Sequence, residues 1–168
     1  MNIFKTLLCL SFLTISTFSF SQDGLKKLPD VEVKTLNGQT VNLADYGKDG
    51  KITIISFWAT WCTPCKKELD ALADFYPDWK EEYDCELLAI TIDNSRQLAK
   101  VPVMVETKQW EYTILAGDQN AVQTAFNFQT IPQTFVIDKE GNIAYTHSGY
   151  VPGNEYELED VVKKLAGK

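Results

Sequence analysis

Histidine and arginine occur once each in the 168 residues, as His147 and Arg96. That excludes sites built from several imidazoles and guanidinium clusters that grip phosphate. There is no long run of Lys and Arg, and acids outnumber bases 23 to 16 for a formal charge of −7, so nucleic acid is not expected as a partner. Cysteine is scarce too, with four residues at 9, 62, 65 and 85. Four are too few to staple a mini-domain, and a chain of this length builds a core without staples. Beyond residue 21 no apolar run approaches the roughly 20 residues that span a membrane. There is no internal repeat and no low-complexity tract. What is present is an ordinary globular balance, 45% apolar and 23% charged, which argues against disorder and, at this length, for one domain.

Residues 1–21 combine one basic residue, Lys5, with no acid, an apolar middle and small residues at Ser19 and Ser21. That pattern fits a secretory signal peptide cleaved before Gln22, with an uncleaved N-terminal anchor as the alternative. A lipoprotein reading fails because Leu8 precedes Cys9 and the apolar run continues past it. Residues 22–30 are polar, with Gly24 and Pro29, and read as a flexible leader to a domain over 31–168. The expected location is periplasmic or otherwise extracytoplasmic, where disulfides persist.

Within the domain, Asn37-Gly38 between two short β-like runs signals a hairpin, and 44–51 reads as a loop. Residues 51–58 (KITIISFW) form a β-branched and aromatic run without alternation, as a strand buried on both faces requires. Apolar residues three or four apart predict a helix over 63–83, which Pro77 should kink or interrupt. A second buried-type strand is expected over 85–92. Asp93-Asn94-Ser95 offer caps to a helix that Pro102 must break or restart. A short strand (112–116), a short helix (120–126), a hairpin (133–138 and 142–147, turning at Gly141) and an amphipathic helix (155–165) complete the order. Strands alternating with helices predict an α/β fold with a central sheet covered on both faces.

The chemistry lies in Trp61-Cys62-Thr63-Pro64-Cys65-Lys66, where the first buried strand turns into the long helix. A helix N-terminus has unpaired N–H groups and a positive dipole end, which favour a thiolate over a thiol. Such a position lowers a thiol pKa from about 8.5 into the range of about 3.5–7.5. With two residues between them, the second sulfur sits one turn inside the helix within reach of the first. Cys62 is then expected to be exposed and nucleophilic, and Cys65 shielded. Pro64 suits the first turn, where its missing N–H has no partner to lose. Half a zinc site, an inert disulfide and two buried structural thiols are the competing readings. Cys85 and His147 form no second close pair to complete a metal site. A bridge across so small a loop constrains the unfolded chain little, and a strand-to-helix corner suits buried thiols poorly.

The run Ile54-Ile55-Ser56-Phe57-Trp58-Ala59-Thr60-Trp61-Cys62-Thr63-Pro64-Cys65-Lys66-Lys67-Glu68 resembles the active-site segment of thioredoxin-like proteins, and especially the secreted TlpA/ResA branch of thiol:disulfide oxidoreductases. The likeness extends from about residue 28 to the end of the chain. Thr130-Ile131-Pro132 resembles the cis-proline segment of that fold, and Asp138-Lys139-Glu140-Gly141 with Gly149 its closing hairpin. The resemblance implies a thioredoxin fold, a central mixed sheet flanked by helices with an N-terminal β-hairpin extension. It implies a cis Pro132 beside the Cys pair, with the backbone of Ile131 pairing with a substrate chain as an added strand. Trp61, Thr63 and Pro64 are expected on the same contact surface. Where many thioredoxins carry a buried Asp six residues before the first Cys, this chain has Ser56, which cannot act as a base near neutral pH. The ResA-like branch has a Glu at the position of Glu68, one helical turn beyond Cys65, so Glu68 is expected to handle the proton of Cys65. A solvated helix Glu is the alternative. Leu69, Thr130 and Gln133 depart from the usual pattern in ways that bear on substrate preference.

The expected function is an extracytoplasmic thiol:disulfide oxidoreductase that reduces protein disulfides through a Cys62/Cys65 dithiol. No bound cofactor is needed, because the electrons sit in the Cys pair. Protein thiols and disulfides are the expected partners and a monomer the expected state. The family's role implies recharging by a membrane electron donor and a place in cytochrome c maturation. A thiol peroxidase on the same fold is the rival enzyme, but it expects a Thr three residues before the reactive Cys, where this chain has Ala59, and an Arg nearby. A copper or other metal-binding module is the rival non-enzyme, but its relatives use a wider Cys-x-x-x-Cys spacing plus a His. Cys85 is expected to be an inert core thiol, with an intermolecular disulfide as the alternative, Trp58 a core residue, and His147 structural.

Overall fold

The computed structural model describes residues 26–168; the expected signal peptide and the start of the leader lie outside the described residues. Strand β1 (Glu32–Thr35) and strand β2 (Thr40–Asn42) pair as an antiparallel hairpin. Gly38 takes the left-handed conformation its turn requires, φ +83°. The stretch expected as a loop instead begins with one helical turn, α1 (Leu43–Tyr46). Asn42 caps it by accepting from the Ala44 N–H at 2.9 Å, and Leu43 is fully buried.

Strand β3 (Ile52–Trp58) is buried at every position, as its unbroken apolar character demands. Helix α2 (Thr63–Tyr83) follows, then β4 (Cys85–Thr91), the single turn α3 (Ser95–Leu98), α4 (Val101–Lys108) with Pro102 in its first turn, and β5 (Thr113–Gly117). Helix α5 (Gln119–Phe126), strands β6 (Gln133–Ile137) and β7 (Ile143–Ser148), and helix α6 (Asn154–Ala166) complete the chain. Pro77 does not interrupt α2. It stands on the exposed face of the helix, where the carbonyl it leaves unbonded can be hydrated.

The sheet order is β2-β1-β5-β4-β3-β6-β7. The three central strands β5, β4 and β3 run parallel, while β1, β6 and β7 join antiparallel, so the sheet is mixed. Helices α2 and α6 pack on each other and on β3. The opposite face carries an aromatic cluster in which Phe57 meets Phe126 at 4.9 Å and Phe128 at 4.7 Å between ring centroids. Trp58 is fully buried, with its ring edge-on to Trp110 at 5.2 Å.

The described end of the leader is hydrogen-bonded to the domain. Ile143 N–H donates to the Lys26 carbonyl at 2.7 Å, Leu28 N–H to the Gly141 carbonyl at 2.9 Å, and Lys27 bridges Asn142. Leu28 is buried against Gly47. The two chains approach so closely that a Cβ on Gly141 would lie 2.5 Å from the Gly47 carbonyl oxygen, which explains glycine at a position that also has φ +78°.

Candidate active site

The turn 59–62 carries the chain from the end of β3 into α2, closed by Cys62 N–H donating to the Ala59 carbonyl at 3.0 Å. Cys62 is the N-cap of α2: its backbone is extended and its Sγ accepts from the Cys65 N–H at 3.3 Å. A sulfur is thus held against the orphan donors and the positive end of a 21-residue helix. Thr63 and Pro64 occupy the first helical positions and are exposed. Cys62 and Cys65 are disulfide-bonded, with their Cα atoms 5.3 Å apart.

The expectation of an exposed Cys62 needs correction. Cys62 is 5% exposed and Cys65 0%. The Cys62 sulfur is tied back to Cys65 and to the helix end, while the neighbouring Trp61, 57% exposed, takes the surface position. The asymmetry runs in the expected direction, with the second sulfur fully sealed and the first at the edge.

The turn is clamped by a group that sequence reading missed. Asp93, just past β4, is buried and accepts from Thr60 N–H at 2.8 Å, Thr60 Oγ1 at 3.0 Å and Thr91 Oγ1 at 2.8 Å. The helix cap assigned to this stretch is Asn94 alone. Lys66 Nζ donates to the Thr60 carbonyl at 2.9 Å and closes the clamp from α2. The signal lay in Thr91-x-Asp93 at the end of a buried strand, where a carboxylate must find donors.

Glu68 is no solvated helix residue. It is 4% exposed, with Ser56 Oγ donating to Oε2 at 3.0 Å and Thr134 Oγ1 donating to Oε1 at 2.8 Å. Burial pushes its carboxyl up from the ordinary 4.5 to about 7, against the two hydroxyl donors, which pull it down. Ser56, at the place where a base was sought and not found, holds the carboxylate that stands one turn beyond Cys65. Ser56 and Thr134 are polar breaks in two apolar strands, and such a break signals a buried polar partner.

Gln133, the first residue of β6, pairs with Phe57. The Ile131–Pro132 bond therefore lies at the end of β3 from which the Cys turn departs. That bond is cis, Pro132 is buried, and its carbonyl accepts from the Gly149 N–H at 2.9 Å. Ile131 is half-buried, and its own N–H and C=O make no backbone hydrogen bond among the described residues. Gln133 donates to the His147 carbonyl at 2.8 Å and takes the Ser148 hydroxyl, locking β7 in place. Cys85 is 3% exposed, and burial pushes its thiol up to about 12. Ala59 is buried three residues before Cys62, and Arg96 is exposed on α3. Among the described residues no three His, Cys, Asp or Glu side chains converge as a metal site requires, and no helix is long and apolar enough to cross a membrane.

Comparison with known proteins places this geometry. The AhpC/TSA family model matches residues 25–146. The thioredoxin-like protein YneN of Bacillus subtilis is 28% identical over 145 residues, 84% of this chain and 82% of its own length. The thiol-disulfide oxidoreductase ResA of Geobacillus kaustophilus is 30% identical over 129 residues, 77% of this chain and 71% of its own. A thioredoxin-like protein from Porphyromonas gingivalis, solved in solution, superposes with a TM-score of 0.73 at 36% identity, covering 86% of this chain and 95% of its own. The chain belongs to the AhpC/TSA family and has the thioredoxin-like fold.

Proposed function

We propose that this protein reduces disulfides in other proteins outside the cytoplasm. It is a thiol:disulfide oxidoreductase, and the observation that carries the reading is the Cys62–Cys65 pair at the N-terminus of α2, one sulfur at the edge and one sealed. In the reduced protein, the Cys62 thiolate attacks a substrate disulfide and forms a mixed disulfide. Cys65 gives up its proton and attacks the Cys62 sulfur, so the second substrate sulfur leaves as a thiol and the pair is oxidised. Glu68, buried one helical turn beyond Cys65 with a carboxyl poised near neutrality, accepts that proton. The open backbone of Ile131 receives the substrate as an added strand next to Pro132, with Trp61, Thr63 and Pro64 contributing the exposed part of the same surface. The reaction needs no cofactor beyond the Cys pair.

An extracytoplasmic site of action fits the pattern of residues 1–21. A reductant there must be recharged by a membrane electron donor, and preparation of cytochrome c thiols for haem attachment is the role that the resemblance of the active-site segment to the TlpA/ResA branch implies. Ala59 and the exposed Arg96 favour disulfide exchange over peroxide reduction. The test is the equilibrium of the Cys62/Cys65 pair with glutathione. A potential near that of thioredoxin, about −270 mV, supports a reductant; one near that of DsbA, about −120 mV, reverses the direction.

A further inference from the structure

Ser56 pairs with Thr134 across β3 and β6, and Thr134 with His147 across β6 and β7. Directly opposed residues project to one face of a sheet. Here it is the face covered by α2, because Ser56 and Thr134 both reach Glu68. A polar row therefore crosses three strands, from beneath Glu68 at the buried centre to the chain's only imidazole on the edge strand. Ser56 and Thr134 are 0% and 2% exposed, and His147 is partly exposed. A cavity of about 10 Å³ lies along the row, with Glu68, Thr134, Tyr145, His147, Tyr150 and Glu155 in its walls. That is about the least space that admits the centre of one water molecule.

The second step of the reaction poses a problem that this row answers. Cys65 must lose its proton while the substrate is still bonded to Cys62 and covers that side of the site. Cys65 has no exposed surface of its own, so solvent cannot take the proton directly.

We propose that the row is the proton's way out: Glu68 takes the proton from Cys65, the water-sized cavity passes it on, and His147 delivers it to solvent beside β7. This rests on the reading of Glu68 as the proton acceptor. The step balances: the Cys65 S–H bond breaks toward Glu68, the Cys65–Cys62 S–S bond forms, and the bond from Cys62 to the substrate sulfur breaks. That sulfur leaves with the electron pair and takes a proton from solvent. Reduction of the pair by its electron donor runs the same path inward.

The surroundings fit a relay. Tyr145 stacks on His147 with ring centroids 6.3 Å apart, and its hydroxyl lies 3.3 Å from Nδ1, which holds the imidazole in place. The titratable groups around Glu68 are Tyr145 and His147 on β7, Tyr150 beyond it and Glu155 on α6, all lining the cavity, with Glu157 next to Tyr145 and Tyr112, ahead of β5, close enough to feel the Glu68 charge; Cys65 stands one turn before Glu68 on α2. Burial raises all three tyrosine hydroxyls, aided by Glu157 at Tyr145 and Glu155 at Tyr150, so they stay protonated through the neutral range. His147 has two ring nitrogens, one to receive and one to release a proton, and it reaches the surface.

The experiment is single-turnover stopped flow of the reduced protein with a fluorophore-quenched peptide disulfide, resolving mixed-disulfide formation from thiol release across pH and buffer concentration. His147→Gln should slow thiol release about 100-fold in dilute buffer, leave mixed-disulfide formation and the reduction potential unchanged, and recover when imidazole is added. Release at the parent's rate in dilute buffer, or a loss that imidazole does not restore, overturns the route. Glu68→Gln separates the two ideas. If it keeps the parent's pH profile, Glu68 is not the acceptor and both readings fall; if it is impaired while His147→Gln is not, only the route falls.

Discussion

Replacing Glu68 by Gln should abolish a pH dependence of stability that the fold imposes on itself. The Glu68 carboxyl is raised from 4.5 to about 7 because it is buried. The folded protein therefore keeps a proton that the unfolded chain has already released between those values. The contribution of Glu68 to stability is fully present below about pH 4.5, falls as pH rises, and is lost above about pH 7. A gap of about 2.5 pH units at about 1.4 kcal/mol each sets the loss at about 3 kcal/mol. Gln keeps the shape, bears no charge and can still bond to Ser56 and Thr134. Thermal and urea unfolding of the oxidised forms of both proteins, from about pH 4 to about pH 8.5, isolates the effect by difference. The variant should match the parent near pH 4 and exceed it by about 3 kcal/mol, or about 6–12 °C in Tm, near pH 8. A difference constant across the range, or a variant that loses ground as pH rises, would refute the reasoning.

Thr134→Val removes one of the two donors that hold the Glu68 carboxyl down, so the midpoint of that pH dependence should move upward; carboxyl chemical shifts followed by NMR would read it directly. Asp93→Ala leaves the Thr60 N–H and two hydroxyls without their acceptor, which should cost about 3 kcal/mol in urea unfolding, with Asp93→Asn recovering part of it. Cys85, buried and with its thiol pushed up to about 12, should resist alkylation in the reduced native protein while Cys62 reacts, and should react only on unfolding; Cys85 modified as fast as Cys62 would contradict this.

Much of the fold was legible because its strongest signals are local. Unbroken apolar runs mark β3 and β4, Asn37-Gly38 and Gly141 mark the hairpins, and the Cys-x-x-Cys corner marks the junction of β3 and α2. Two local rules misled. Pro77 reads as a breaker, yet a proline on the wet side of a long helix leaves its carbonyl to water. The leader reads as polar and without contacts, yet Leu28 is buried where Gly47 and Gly141 meet. The candidate site was half legible. The sulfurs and Pro132 belong to a contiguous motif and a recognisable segment. The carboxylate clamps showed only as polar breaks in apolar strands, because the partners, Ser56 and Thr134 with Glu68 and Thr60 and Thr91 with Asp93, are fixed by sheet register and helix packing.

The account turns on which sulfur attacks. With Cys65→Ser, incubation of the reduced protein with a disulfide-bonded protein substrate should accumulate a mixed disulfide, and mass mapping should place it on Cys62 alone. A linkage through Cys85, or no linkage although the variant is folded and Cys62 is a free thiol, would contradict the account.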